Sequence, residues 1–493
     1  MSEAPPPPTP AAPAAPDAQA DAALARLGYA QELLRAMGGF SSFALSFSVI
    51  SILTGVTTTY GVGLAGGGPA ALGLGWPLVG LGTLAVGLSM GELASAFPTA
   101  GALYHWSALL GGKGWGWFTA AMNLVGQCAI VAAIDLGCAH TLGATLHLSA
   151  AWDIPLLGAI LLSHGLLNAR SVRVVAVLND LSVAVHIVGV LALVGLLLAL
   201  GKVHPVAYLF QTGFTTRTDG SYSLGFLSSL LLGMWTFTGF DASAHVSEET
   251  HDPARRAPWG IVSAILVSAV AGFAFVAALT LAIPDLPAIA RDENPPIAIV
   301  RHVLGETGGN AALGLAVLAM WFCGLSSVTS ASRTLFAFAR DGGLPSLVRR
   351  VNAVHRTPEV AIMLAVTGPL ALVLVTRVMS DAVFLAVASL ATTALYVSYV
   401  TPIALGALAR RAGRWKRRGP WHIGAFGPPL AWVAVLWTSF VLVVCALPPN
   451  GLAGLMLAAV VLALATVYFG YARTRFAGPK VHLGDLEAKG PPN

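Results

Sequence analysis

Long apolar runs alternate with short polar segments along most of the chain. A helix that crosses a bilayer needs about 20 predominantly apolar residues. On that rule the pattern predicts twelve helices. Helix 1 falls at 40–63, helix 2 at 70–97, helix 3 at 114–142, helix 4 at 154–168, helix 5 at 174–200 and helix 6 at 224–246. Helix 7 falls at 259–283, helix 8 at 311–339, helix 9 at 359–375, helix 10 at 382–409, helix 11 at 428–447 and helix 12 at 452–471. The predicted fold class is therefore an all-α integral membrane protein.

The basic residues test this count. With the N-terminus placed inside, only Lys202, Arg217, Arg291, Arg301 and Arg377 of the 27 Lys and Arg residues fall outside. Inner loops of membrane proteins carry such an excess of positive charge. Both termini are predicted to be cytoplasmic, in an inner or plasma membrane. The densest basic stretch, 410–419, reads as a topology anchor or a contact for anionic lipid.

Composition narrows the class further. The chain is 56% hydrophobic and 10% charged, where a soluble domain carries about 25% charged residues. Membrane lipid is the solvent for much of its surface. The net charge of +5 lies in short loops and not on a compact domain, which argues against nucleic acid as a partner. Cys128, Cys138, Cys323 and Cys445 sit singly in apolar runs and read as packing residues. No CxxC, HExxH or GxxxxGK[ST] pattern is present, so no metal, cofactor or ATP is expected. Scattered interior serines without a partnered base argue against an enzyme. Residues 1–25 read as a disordered tail rich in Pro and Ala, and 473–493 as a second cytoplasmic tail.

Two segments carry candidate chemistry. In helix 1, Leu53-Thr54-Gly55-Val56 belongs to the run Ser51 to Gly63, which combines glycine and β-branched residues. Such a run serves either close helix packing or a break in the helix around a polar site. In helix 6, Trp235-Thr236-Phe237-Thr238-Gly239-Phe240-Asp241 places a carboxylate at membrane depth. That costs several kcal/mol unless the group faces a cavity or a partner. The two segments open two groups of five helices, 26–203 and 222–411, which enter the membrane from opposite sides. Helices 11 and 12 (424–472) follow. This pattern predicts a five-plus-five inverted repeat with discontinuous helices 1 and 6.

The stretch Gly91-Glu92-Leu93-Ala94-Ser95-Ala96-Phe97-Pro98-Thr99-Ala100-Gly101-Ala102-Leu103-Tyr104 resembles the signature after helix 2 of the amino acid–polyamine–organocation (APC) superfamily. Gly239-Phe240-Asp241 through Ser247-Glu248-Glu249-Thr250 and Pro253 resembles its helix 6 and the following loop. Asn168-Ala169-Arg170 to Asn179-Asp180, with His186, is similar to the amino acid/choline transporter branch. The resemblance implies a permease for an amino acid or related amine such as GABA, working by alternating access, with choline, polyamines or solute exchange as alternatives. It implies that Leu53, Thr54, Gly55 and Val56 offer backbone groups to a substrate carboxylate. Thr238, Gly239 and Asp241 would face the amine, and Trp235, Phe237 and Phe240 would close over it. His186 would carry a coupling proton, with Ser326, Ser327 and Thr329 of helix 8 nearby. Glu92, Glu248 and Glu249 read as an inner gate paired with Arg170, Arg333 or Arg340, or as solvated surface. Asp135 and His164 read as packing polar groups.

Overall fold

A computed structural model describes residues 16–379, 383–446 and 451–488. Residues 1–15 and 489–493 of the expected tails lie outside the described residues, as do residue 382 of helix 10 and residue 447 of helix 11. The protein is all-α. Among the described residues ten segments are long and apolar enough to cross a membrane. Two details reconcile this number with the twelve expected helices. Gly39–Ala96 contains helices 1 and 2, joined without a loop at Gly68, whose φ of 63° bends the axis. Helix 6 is divided into Tyr222–Ser229, Leu231–Thr236 and Ala242–His245, each too short to span.

Helix 8 is longer than its hydrophobic pattern suggested. The span Pro295–Arg340 is interrupted at Gly305, whose φ of 71° is non-helical, so a separate helical stretch opened by Pro295 precedes helix 8, which itself begins before residue 311. The tail expected at the N-terminus also departs from its reading, since Pro16–Arg26 forms a helix. Its alanines favour helix, Pro16 suits the first position, and Asp17 and Arg26 complement the helix dipole. Leu24 and Leu27 are buried, and Gly28 lies against Val481 of the C-terminal segment. The backbone amides of Lys416 and Arg417 donate to Glu487, 3.1 and 2.9 Å away. Both ends of the described chain thus pack on one face of the bundle.

Helices 1 and 6 meet near the centre of the bundle. The Gly39–Ile50 half of helix 1 is laced to Ala242–His245 by serines. Ser46 Oγ donates to Phe240 O at 2.7 Å and accepts from Ser243 N at 2.9 Å, while Ser243 Oγ donates to Ser42 O at 2.6 Å. These bonds satisfy backbone groups that a broken helix leaves open and that lipid cannot satisfy.

Candidate functional site

The break in helix 1 lies at Ser51, three residues before the expected Thr54. Ser51 has φ 41° and ψ 82°, a left-handed conformation. It closes one helix and opens the next. Its amide donates to Phe47 O at 3.0 Å, and its carbonyl accepts from Gly55 N at 2.9 Å. Its Oγ accepts from Thr54 N at 3.4 Å, the bond of an N-cap. Thr54, Gly55 and Val56 are therefore helical, and the amide of Gly55 is already used. The backbone donors left outside the ladder are those of the first turn, Ile52 and Leu53. The sequence displaced the break because it weighted glycine and threonine, whereas a serine holds the strained turn.

The break in helix 6 spans 237–241 and turns at Gly239, with φ 82°. A Cβ there would stand 2.1 Å from Val49 Cγ1, and a Cβ on Gly55 would stand 2.1 Å from Thr236 Oγ1. Glycine at both positions lets the two breaks touch.

Two small cavities flank this contact, each of about 10 Å³. One water needs about that much room, so the site is closed in this conformation. Val49, Ile50, Thr54, Gly55, Trp235 and Thr238 line the first, with Ile130, Ile134 and Cys323. Gly239, Asp241, Gln127, Ser327, Ser330 and Leu395 line the second, again with Val49 and Ile130. Leu53, Val56, Phe237 and Phe240 are buried but line neither cavity. Phe237 packs on Trp76 and Phe240 on Tyr399, with ring centroids 5.1 and 4.9 Å apart.

Asp241 is already engaged. Tyr399 Oη donates to its Oδ1 at 2.9 Å, and His245 Nε2 lies 3.0 Å from its Oδ2. Tyr399 Oη also accepts from Gly239 N at 3.0 Å. His245 Nδ1 faces Thr334 Oγ1 at 2.9 Å and Ala100 O at 3.3 Å. Gln127 Nε2 donates to Thr334 Oγ1 at 3.0 Å and lies 3.5 Å from His245 Nε2. Gln127 Oε1 is buried without a partner among the described residues. His245 was legible, one helical turn beyond Asp241 on the same face. Gln127 was hinted at by Asn123, four residues earlier in the same apolar run. Tyr399 carried no signal, since only the tertiary fold aims its hydroxyl at the break.

His186 is fully buried. Its Nε2 lies 2.8 Å from Ser51 Oγ, and its Nδ1 lies 2.8 Å from Ser182 O. The serines expected beside it are placed elsewhere. Ser326 donates to Asn179 Oδ1 at 2.6 Å, two turns along helix 5. Ser327 donates to Cys323 O and lines the Asp241 cavity. Thr329 donates to Asn168 Oδ1 at 2.8 Å. Asp135 and His164, taken as separate packing groups, form a fully buried pair 3.2 Å apart.

The three glutamates are all paired. Glu249 meets Arg333 at 2.9 Å with both side chains fully buried, and Glu248 meets Arg340 at 2.8 Å. Glu92 pairs with Arg410, outside the expected set, because the basic loop folds back and stacks Arg410 on Trp415. Glu248 also accepts from Ala100 N at 3.0 Å, within the motif after helix 2. Around this knot Tyr29 and Tyr104 both donate to Asp341. Burial pushes the Asp341 carboxyl up from its ordinary value, against the pull of the two hydroxyls. Removing one member of such a buried pair strands a charge, at a cost of about 3–5 kcal/mol.

Comparison with known proteins agrees with this architecture. Residues 37–470 match the family model described as amino acid permease. The chain is 37% identical to amino-acid permease BAT1 of Arabidopsis thaliana, over 86% of this chain and 88% of that protein. It is 36% identical to the rice homolog of that permease, over 87% of each chain. It is 28% identical to the GABA-specific permease of Saccharomyces cerevisiae, over 86% of this chain and 78% of the yeast protein. With residues 37–470 matched to that family and relatives of this identity covered over most of their length, the chain belongs to the amino acid permease family of the APC superfamily.

Proposed function

We propose that this amino acid permease moves its substrate by alternating access around the paired breaks of helices 1 and 6, driven by a proton carried at His186. The observation that carries the reading is the contact of His186 Nε2 with Ser51 Oγ. A titratable ring thereby touches the residue that breaks helix 1. The hydroxyl can donate to a neutral ring or accept from a charged one, so a proton can come and go without stranding a buried polar atom. Amides of the first turn after the break offer an anion site for the substrate carboxylate. The acceptors around Asp241 suit its amine. Residues 26–203 and 222–411 act as inverted halves in this reading, with helices 11 and 12 outside the cycle. The face bearing both termini is cytoplasmic, in a plasma or inner membrane. There the Glu248–Arg340 and Glu249–Arg333 pairs close the inner gate.

The reading is tested with purified protein in liposomes, with labelled amino acids including GABA offered under an imposed pH gradient. Concentrative uptake that collapses with the gradient is expected. His186→Ala should retain exchange of labelled for unlabelled substrate while losing accumulation. Full gradient-driven accumulation by that variant would falsify the role of His186.

A further inference from the structure

Asp241 lines the second cavity and is the acidic residue among those lining either, and this chain already supplies it with partners. The hydrogen-bond partners of His245 suit a charged ring. His245 Nε2 faces a carboxylate oxygen, which accepts when ionised. His245 Nδ1 faces the carbonyl of Ala100, which only accepts, and the hydroxyl of Thr334. That hydroxyl accepts from Gln127 Nε2 at 3.0 Å and lies 3.2 Å from Ser330 O; with its proton on Ser330 O, its second lone pair faces the ring. Nε2 has the carboxylate at 3.0 Å and the Gln127 amide farther off at 3.5 Å; as the imidazolium the ring donates to Asp241 from Nε2 and to the Thr334 and Ala100 oxygens from Nδ1.

The other charged groups near the cavities are compensated within the protein. Glu248 and Glu249 are paired with Arg340 and Arg333. Asp135 is paired with His164 and packs against Gly324, the residue after the cavity-lining Cys323. His186 faces a serine hydroxyl that allows the neutral ring. Tyr399 and Gln127 bring dipoles and no charge. What remains for a solute is a dipolar surface: free amides at the start of the second half of helix 1, and acceptors around Asp241. Gln127 Oε1, buried without a partner, belongs to a residue lining the Asp241 cavity.

We propose that His245 is a built-in countercharge to Asp241. It sets the net charge of the site to zero and so selects a zwitterion, an amino acid of no net charge, over organic cations such as choline or polyamines. At membrane depth a cation added to a neutral site is an uncompensated charge, and the cost of burying it falls on the wrong substrate. A zwitterion brings none. Its ammonium joins an already neutral carboxylate–imidazolium pair through hydrogen bonds, with Gln127 Oε1 as a further acceptor. This inference rests on the amino acid reading above and narrows it to a charge class.

The test is a charge cycle in liposomes, with labelled GABA and leucine set against labelled choline and putrescine. Wild type should carry a zwitterion and exclude both cations. His245→Gln leaves Asp241 uncompensated, and should raise the ratio of cation to zwitterion uptake by roughly tenfold or more, about 1.4 kcal/mol of discrimination. His245→Lys restores the charge and should restore exclusion of cations. Asp241→Asn with His245→Gln should also exclude cations, at reduced rates. Should a His245 variant be recovered poorly, ligand-induced thermal shifts in detergent give the same ratio without transport. An unchanged ratio in His245→Gln, or cation uptake by wild type equal to that of zwitterions, overturns the proposal and leaves the permease reading standing. Wild type that moves no zwitterion overturns both.

Discussion

The two helix breaks solve one physical problem with different chemistry. At Ser51 the chain turns on a non-glycine residue, and every side chain in contact with the turn is neutral or can be: Ser51, Thr54, Ser182 and His186. At 237–241 the chain turns on glycine, and the turn is held by a carboxylate, an imidazole and a tyrosine. The histidines differ accordingly. His186 meets the hydroxyl of Ser51 and no charged side chain, while His245 meets a carboxylate as well as the hydroxyl of Thr334. In the proposed reading one break gains and loses the coupling proton, and the other holds a carboxylate matched by an imidazolium. Under the two proposals, uptake of a proton and recognition of a dipolar solute fall to separate halves of one site.

The largest effect that would break this comparison is steric. Gly239→Val puts a side chain on a residue at φ 82° and directly onto Val49. Strain and overpacking together should lower stability by about 3 kcal/mol or more, and uptake should fall below detection. The measurement is thermal unfolding in detergent beside liposome uptake. Ser51→Gly is the opposite case. It keeps the turn, relieves the left-handed strain and removes only the hydroxyl, so the fold should survive. If Gly239→Val were as active as Ser51→Gly, the helix 6 turn would not be a fixed element.

Next in size is the loss of one support of Asp241. Tyr399→Phe removes the donor to Oδ1 and the acceptor of Gly239 N. A hydrogen bond to a charged group contributes about 1.5–3 kcal/mol. Substrate KM should rise by roughly tenfold or more, with the pH dependence unchanged because the histidine pair is intact. The same change exposes what could be read from sequence. Apolar run length and the distribution of arginines were local signals, and they gave an all-α membrane fold. Asp241 was legible because a carboxylate at membrane depth is conspicuous, and Gly239 because glycine is the residue that most readily takes a positive φ. Tyr399 was not, since a tyrosine in an apolar helix looks the same whether its hydroxyl meets lipid headgroups or a buried aspartate. Ser51 was hidden for a related reason. One serine among Ser46, Ser48 and Ser51 gives no sign that its own backbone is strained.

A moderate effect is expected at the helix 1 break. Ser51→Gly leaves His186 Nε2 without its reversible partner. Either state of the ring then faces an unsatisfied atom, and the proton loses its preferred seat. Uptake driven by a pH gradient should fall several-fold, by about 1 kcal/mol of hydrogen bonding, while exchange at equal pH on both sides continues. A variant that keeps its full response to the gradient would move the coupling proton away from His186. The Asp135–His164 pair is the next buried group to mutate.

The smallest effect separates acid acting on the fold from acid acting on transport. His105 lies in the short helix Ala102–Gly111, outside the spanning segments, with Nδ1 3.1 Å from Thr99 Oγ1 and its ring edge-on to Tyr29. Burial, helped by the nearby charge of Arg340, pushes its imidazole down to about 3. An unfolded histidine titrates near 6.5. Between those values the unfolded chain holds a proton that the folded chain does not, so stability is complete above pH 6.5 and declines as pH falls. At pH 5.5 the loss should be about 1 kcal/mol, and His105→Gln should reduce the difference between melts at pH 7.5 and 5.5. In the proposed cycle external acid has the opposite sign on His186, where it drives uptake. If uptake and stability respond to acid in the same direction, and both responses vanish in His105→Gln, the pH dependence belongs to the knot around Asp341 and not to the break at Ser51.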